Sequence, residues 1–366
     1  MNSSKILKIT TILIVSAFYI FSILLAAEVL FRINSQYKPS GIAYDKNLGW
    51  RFVKGLRVRR YSMARKKTIS FSTNSIGFRD KEHSIKKDEA IKRIMFLGDS
   101  YTAGDFVSDE EIFTKLFAQK INVRNEYDVM NISCSAWATD QELLFLQNEG
   151  TKYRPDYIFL IIAPNDIRAT YVKGFFVLGA NNSLKRNKFP SVSWKERFCW
   201  FLSNRSSFYQ FLQKEMLKTT FGNFDNIFSH FTVFWHIAGA PSIDAPLFLK
   251  EVPDEVKKSY DLFKATLLEI NNLCIQKKCK LILTVMPTKM EFNHELRNDL
   301  YQPGNASNYV KRIALEYDIK FLDLFSNLQK EDNPLRIFIP EEFHLSPEGH
   351  SWIAQELYSF FKTLKY

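Results

Sequence analysis

Six consecutive apolar residues, Tyr157-Ile158-Phe159-Leu160-Ile161-Ile162, constrain the fold more than any other stretch of this 366-residue chain. The run is too short to cross a bilayer and lacks the alternation of a strand with one wet face. A strand reads this way when both of its faces are covered, as in a parallel sheet with helices on either side. Further strand-like runs occur at Ile94-Met95-Phe96-Leu97, which ends in Gly98, at Tyr127 to Ile132, at Lys280 to Val285 and at Lys320-Phe321-Leu322-Asp323-Leu324.

Helical spacing falls between these runs. Glu111 to Ile121 carries Ile112, Leu116 and Phe117 on one stripe, and Asp254 to Gln276 predicts a long helix. A helical stretch follows up to Tyr317, and Pro347 to Leu364 closes the chain. A further helix opens at Thr139 and runs through Leu143, Leu144 and Leu146, with Thr139 and Glu142 at capping-box spacing. Strand–helix alternation predicts a doubly wound α/β sheet, a three-layer α/β/α sandwich with a mainly parallel sheet spanning residues 91–366. Residues 170–250 break the rhythm. They are rich in Phe and Trp with interspersed basic residues, as in Trp194-Lys195-Glu196-Arg197-Phe198-Cys199-Trp200, and predict a mainly helical insertion that could form a lid or substrate wall.

The N-terminus predicts the compartment. Lys5 and Lys8 precede an uncharged apolar run from Ile9 to Ala27, about the length of one membrane-spanning helix. A cleaved signal peptide is the competing reading, but Ala26-Ala27 leads straight into Glu28-Val29-Leu30-Phe31, a poor cleavage signal. The expectation is an uncleaved signal anchor over residues 1–35. The positive-inside rule then puts Lys5 and Lys8 in the cytoplasm and the remainder outside the cytoplasmic membrane. Residues 36–90 read as an N-terminal extension. It has turn chemistry at Leu48-Gly49-Trp50 and at Asn74 to Asp80, a short strand at Ile69 to Ser72, and basic residues from Arg57 to Lys67 that predict a membrane-proximal patch or a plain exposed face.

Composition narrows the function classes. An aromatic share of 15% argues against a disordered chain. The formal net charge of +11 could mean an anionic partner, yet no zinc-finger spacing, RNP-like run or basic heptad marks a nucleic-acid module. The four cysteines, Cys134, Cys199, Cys274 and Cys279, form no CxxC pair and have no clustered histidines, so no metal site is expected. Cys274 and Cys279 read as two buried thiols, with a small disulfide as the alternative.

Four segments carry chemistry. In Phe96-Leu97-Gly98-Asp99-Ser100-Tyr101-Thr102, a Ser follows a buried strand at the carboxyl edge of the sheet, where open α/β folds place ligands. A serine needs an adjacent base to be a nucleophile. Pro340-Glu341-Glu342-Phe343-His344-Leu345-Ser346-Pro347-Glu348-Gly349-His350 offers one: His344 stands just before a helix start capped by Ser346 and Pro347, with carboxylates two and three residues ahead. His350 is expected to pack rather than catalyse. Asn165, in Ala163-Pro164-Asn165-Asp166 past the strongest strand, can donate to a developing oxyanion. Backbone N–H groups of Asn131-Ile132-Ser133-Cys134-Ser135-Ala136-Trp137 can complete such a hole, with Cys134 expected as a small buried hydrophobe.

Taken in chain order, the four segments resemble the SGNH (GDSL) hydrolase superfamily over residues 92–366 apart from the insertion. Leu48-Gly49-Trp50 and Ile76-Gly77-Phe78-Arg79-Asp80 resemble bacterial members that carry an N-terminal membrane anchor. The resemblance implies a flavodoxin-like sandwich, Ser100 as nucleophile, His344 as base, and an oxyanion hole made by the Ser100 N–H, the Ala136 N–H and the Asn165 side chain. It implies no cofactor and no metal. The family usually has glycines where this chain has Ser133, Ala136 and Ala138, and a backbone donor survives Gly-to-Ala where φ is negative. The family's acid is usually Asp; here the two positions hold Glu342 and Glu341. Glu342 is favoured because members with this continuation tend to place the acid two residues ahead of the His. The activity implied is hydrolysis of small O-acyl esters, O-acetyl foremost, on a cell-envelope glycan or lipid. An O-acyltransferase with the same triad and a non-catalytic envelope protein are the alternatives.

Overall fold

The computed structural model describes residues 3–33, 41–62, 64–187, 193–203, 205–212, 245–292 and 301–364. They belong to two compact units: Met1–Ala43 with Val192–His230, and Tyr44–Ser191 with Phe231–Tyr366.

In the first unit, helix α1 covers Ser3–Ile33. Its 31 residues extend roughly 46 Å at 1.5 Å per residue, more than the ~30 Å hydrocarbon core of a bilayer. Lys5–Ile33 has a mean hydropathy of 2.4 in its most apolar window and buries none of it within the protein, so it is long and apolar enough to cross a membrane.

The second unit begins within β1 (Ile42–Asp45), which pairs with β2 (Gly49–Phe52), and continues into the hairpin of β3 (Arg57–Ser62) with β4 (Lys67–Ser72). The chain then enters the sheet at β5 (Lys92–Gly98), followed by α2 (Ser100–Ala103), α3 (Phe113–Ile121), β6 (Tyr127–Ser133), α4 (Thr139–Asn148), β7 (Tyr157–Ile162) and α5 (Pro164–Lys173). A short hairpin, β8 (Phe176–Leu178) with β9 (Leu184–Arg186), comes next. Two helices of the first unit follow, α6 (Trp194–Ser203) and α7 (Ser207–Phe211). The second unit resumes with α8 (Asp254–Lys277), β10 (Lys280–Val285), α9 (Lys289–Phe292), α10 (Asn305–Glu316), β11 (Lys320–Leu322), α11 (Leu324–Leu328) and α12 (Pro347–Thr363).

Strands β11-β10-β7-β5-β6 form one five-stranded sheet, parallel at every pairing. Counted along the chain this is order 2-1-3-4-5, the flavodoxin-like doubly wound arrangement. The period of two along each strand divides its residues between two faces. Ile94, Phe96, Phe159, Ile161 and Ile282 share a core with Phe113 and Phe117 of α3 and Ile353, Leu357 and Phe361 of α12. On the opposite side α4, α5 and α8 pack on one another. Three layers result, and β7 is fully covered beyond Tyr157, as its unbroken apolar run requires.

Several boundaries differ from the sequence expectation. Strand β11 ends at Leu322, because Asp323 turns to cap α11 by accepting the Ser326 N–H at 3.1 Å. The Thr139/Glu142 capping box does not form: Thr139 is already helical behind Ala138, and Glu142 is drawn into the interior. The break expected at residue 170 falls inside α5, and the β8–β9 hairpin follows within the α/β unit. Within the first unit, Glu28 of α1 accepts the Ser207 and Phe208 N–H groups that open α7, and Phe31 stacks on Phe211 at 4.2 Å. The remainder of the expected insertion, residues 188–192 and 213–244, lies outside the described residues.

The extension from Tyr44 onward belongs to the same compact unit as the sheet. Arg65, within the expected basic patch, pairs with Glu111 at 2.8 Å, whereas Arg57, Arg59, Lys66 and Lys67 are exposed. His83 bridges Asp80 at 2.8 Å and Asp128 of β6 at 2.9 Å. Burial disfavours its charged form, but the two carboxylates prevail and push its pKa up to about 9. A raised histidine pKa gives stability that is full below the unfolded value of 6.5 and is lost as pH rises through about 9. By about 1.4 kcal/mol per unit, up to about 3 kcal/mol of unfolding free energy should disappear across that window. Urea unfolding at its two ends reads this loss, and His83→Gln should flatten the profile. Parallel profiles for the two proteins would show that the bridge is not the source.

Candidate active site

Ser100 is placed by the end of β5. Gly98 is the last strand residue, and a Cβ there would stand 2.2 Å from Thr102 Oγ1, so only glycine permits the turn. Asp99 caps α2, its Oδ1 accepting the Tyr101 N–H at 2.9 Å. Ser100 therefore begins a short helix at the carboxyl end of β5, and Asn165 lies in the first turn of another, behind Pro164, at the carboxyl end of β7. Strands β5 and β7 flank the point where the strand order reverses, which is the crevice where doubly wound sheets bind ligands.

His344 arrives from the far end of the chain. Ser346 caps α12 by accepting the Gly349 N–H at 3.1 Å, and Pro347 opens its first turn. Gly349 is required here too, since a Cβ would lie 2.0 Å from the Ile337 carbonyl oxygen. The Ile339 N–H donates to the His344 carbonyl at 2.9 Å, and the Tyr101 hydroxyl donates to the Phe343 carbonyl at 3.0 Å. Lys289 Nζ donates to the carbonyls of Ile339 and Pro340, tying down the loop ahead of the histidine. The outcome is His344 Nε2 at 3.0 Å from Ser100 Oγ, across 244 residues of sequence. Its ring packs against Phe106 at 4.9 Å and Tyr101 at 5.3 Å.

On the other ring nitrogen the geometry is looser. Glu342 Oε2 lies 3.6 Å from His344 Nδ1, an ion-pair distance beyond a hydrogen bond, and Nδ1 has no hydrogen-bond partner among the described residues. Glu341 is exposed. His350 is buried, stacks on Phe113 and accepts the Phe113 N–H at 3.3 Å, with burial pushing its pKa down to about 3.

Ala136 departs from the sequence expectation. A backbone donor there was compatible with alanine if φ were negative, but φ is +63°, the left-handed region that favours glycine. The turn is braced: Ser135 Oγ donates to Asp105 at 2.8–2.9 Å, and the Trp137 N–H donates to the Cys134 carbonyl at 3.0 Å. Among the described residues neither the Ala136 N–H nor the Asn165 side-chain amide makes a hydrogen bond. Asp105 escaped the sequence reading because nothing local distinguishes it from a surface loop acid.

Beneath the site lies a group of buried acids that no motif announced: Asp99, Asp140, Glu142 and Asp166, with Lys173 as their nearby cation. Burial pushes Asp99 and Asp140 up to about 6, and Glu142 and Asp166 well above the carboxylate range. Both Glu142 oxygens and the hydroxyls of Thr102, Thr139 and Thr170 have no protein hydrogen-bond partner among the described residues. Raised carboxyl pKa values mean that folded-state stability is full below about pH 4 and declines as pH rises through about 6. Extending the urea series to that range reads this earlier limb.

Cys134 is fully buried, and burial pushes its thiol pKa up, which leaves it inert as a nucleophile. Cys274 and Cys279 are free thiols, and the Cys279 N–H donates to the Cys274 carbonyl at 2.9 Å. Among the described residues no group of three or more His, Cys, Asp or Glu is arranged to hold a metal ion.

No protein-family model matches the chain, and no curated protein matches it. Among solved structures it is similar to a lipase/acylhydrolase from Enterococcus faecalis, at 11% identity over 75% of this chain and 96% of that one, with a TM-score of 0.41. It is also similar to a psychrotrophic esterase from a Pseudoalteromonas species, at 13% identity over 75% of this chain and 98% of that one, TM-score 0.39. An acetyl xylan esterase gives 13% identity over 73% of this chain and 98% of that one, TM-score 0.38. At such identities and scores the functional reading rests on the site itself.

Proposed function

We propose that this chain is a membrane-anchored serine esterase that removes small O-acyl groups, O-acetyl foremost, from a glycan or lipid of the cell envelope. The observation that carries the reading is the 3.0 Å approach of His344 Nε2 to Ser100 Oγ at the strand-order reversal. A histidine at that distance is within reach of the serine proton. His344 takes that proton as Ser100 Oγ attacks the ester carbonyl. The tetrahedral oxyanion is held by the Ser100 N–H, the Ala136 N–H and the Asn165 amide. His344 then returns the proton to the leaving alcohol, and water, activated by the same imidazole, releases the acyl group as acid. Glu342 is the orienting acid in this scheme; Glu341, exposed and one residue further away, is the weaker candidate.

The envelope assignment is supported by α1, with Lys5 and Lys8 before its apolar run and the α/β unit after it. The test is turnover of a p-nitrophenyl acetate by the full chain in detergent micelles. The expected result is hydrolysis by the wild type that falls at least about 10³-fold in Ser100→Ala. Equal background rates in both proteins would overturn the reading. A wild type that acylates an added glycan, rather than only releasing free acetate, would redirect it to acyl transfer.

A further inference from the structure

Trp50 belongs to β2, in the N-terminal extension, 50 residues ahead of the nucleophile. Its indole Nε1–H donates to the Ser135 carbonyl at 3.1 Å. In return the Trp137 Nε1–H donates to the Trp50 carbonyl at 2.8 Å, and the Gln141 side-chain amide donates to the Leu48 carbonyl at 2.7 Å. Lys173, at the end of α5, donates to the next carbonyl of the same turn, that of Ala136, at 2.7 Å. It also donates to Gln141 Oε1 at 2.9 Å, and its ammonium lies 5.3 Å from the centre of the Trp50 ring. Two successive peptide carbonyls, one on each side of the left-handed Ala136, are thus held by side chains from two distant segments.

The geometry has a direct chemical consequence. A peptide unit is rigid and trans, so its C=O and N–H point in opposite directions. The Ser135 carbonyl and the Ala136 N–H belong to one such unit, and no peptide among the described residues is cis. Fixing the carbonyl from the Trp50 side therefore fixes the direction of the Ala136 N–H on the other side. Holding the Ala136 carbonyl with Lys173 prevents the residue from relaxing out of its left-handed conformation, which an alanine would otherwise leave readily. We infer that Trp50 and Lys173 are positioning residues for ester cleavage: they hold the Ser135–Ala136 peptide so that its N–H faces the developing oxyanion. The extension is then part of the catalytic apparatus and does more than cover the sheet. This inference rests on the proposed esterase reading, and the preorganised donor it describes is the kind whose loss is felt in the transition state rather than in substrate binding.

The test uses the full chain in detergent with an aryl acetate. Trp50→Phe keeps an aromatic ring and removes only the N–H donor. Lys173→Met keeps most of the length and removes the ammonium. Each variant is measured for kcat, KM, affinity for a phenylboronic acid, and thermal midpoint. Expected for either folded variant is a fall in kcat of about 10- to 100-fold with KM changed less than about 3-fold. Boronate affinity should fall in step with kcat, because the boronate adduct needs the same donors. The Ser100–His344 pair is untouched, so a fluorophosphonate should still label Ser100. Wild-type kcat in both variants would overturn the inference, and so would a loss carried wholly by KM. Loss of the fold in both would mark the pair as structural support and equally overturn it. A wild type with no turnover at all would instead remove the esterase reading, an outcome distinguishable because it precedes any comparison of variants.

Discussion

His344→Gln is expected to lower ester turnover by about 10⁴- to 10⁶-fold, the largest catalytic effect of any change outside Ser100. Glutamine fills a similar space, but its amide cannot take the Ser100 proton, so the hydroxyl attacks unassisted. The residual rate should be that of the oxyanion donors and substrate positioning alone, and the double variant with Ser100→Ala should be no slower than either single one. The neighbouring acid should matter much less. With Glu342 Oε2 at 3.6 Å from Nδ1, Glu342→Gln removes a through-space interaction and no formed hydrogen bond, and a loss of under about 100-fold is expected. Steady-state kinetics on the four variants check the order. A Glu342 effect as large as that of His344 would mean that the pair closes to hydrogen-bonding distance when substrate binds.

The second large effect is on stability. Arg79 is fully buried and donates to Asp109 at 3.0 Å, to the Gly104 carbonyl at 2.6 Å and to the Val107 carbonyl at 2.9 Å. Its guanidinium also sits 4.6 Å from the centre of the Phe71 ring. These bonds join the extension to the loop that follows α2, and that loop carries Phe106 against the His344 ring. Breaking a buried ion pair by removing one partner costs about 3–5 kcal/mol, because the other charge is left without compensation. Arg79→Ala should therefore lower the thermal midpoint by roughly 10 °C. It should also slow turnover below the melting range, since Phe106 loses its support. A midpoint within 2 °C or so of wild type would show that the loop is held by other contacts.

How much of this was legible in sequence varies with the range of the interaction. The five sheet strands were legible as local runs, most plainly β7 and the Ile94 to Leu97 part of β5, which are unbroken apolar stretches buried in the sheet. The last of them was overextended only because Asp323 caps a helix that the pattern Phe321-Leu322-Asp323-Leu324 does not reveal. The places of Ser100 after a strand and of His344 before a helix were legible, and the fold brings these two side chains to 3.0 Å. The hairpins of the extension were mostly missed, since Gly49–Phe52 is stabilised by partners more than 80 residues away, such as Ser135 and Trp137. The capping box at Thr139 failed for a similar reason. The interior claims Glu142, and the charged groups that act on it there, Asp99 and Lys173, come from other elements. The left-handed φ of Ala136 leaves no signature in the alanine itself.

The most direct measurement of the central claim is the site of covalent capture. The full chain, in detergent, is treated with a fluorophosphonate, digested, and analysed by mass spectrometry. The structure predicts one stoichiometric adduct on Ser100, absent from Ser100→Ala and slowed by several orders of magnitude in His344→Gln. No adduct, or an adduct on another residue with Ser100 unmodified, would contradict the assignment of Ser100 and His344 as a nucleophile and its base.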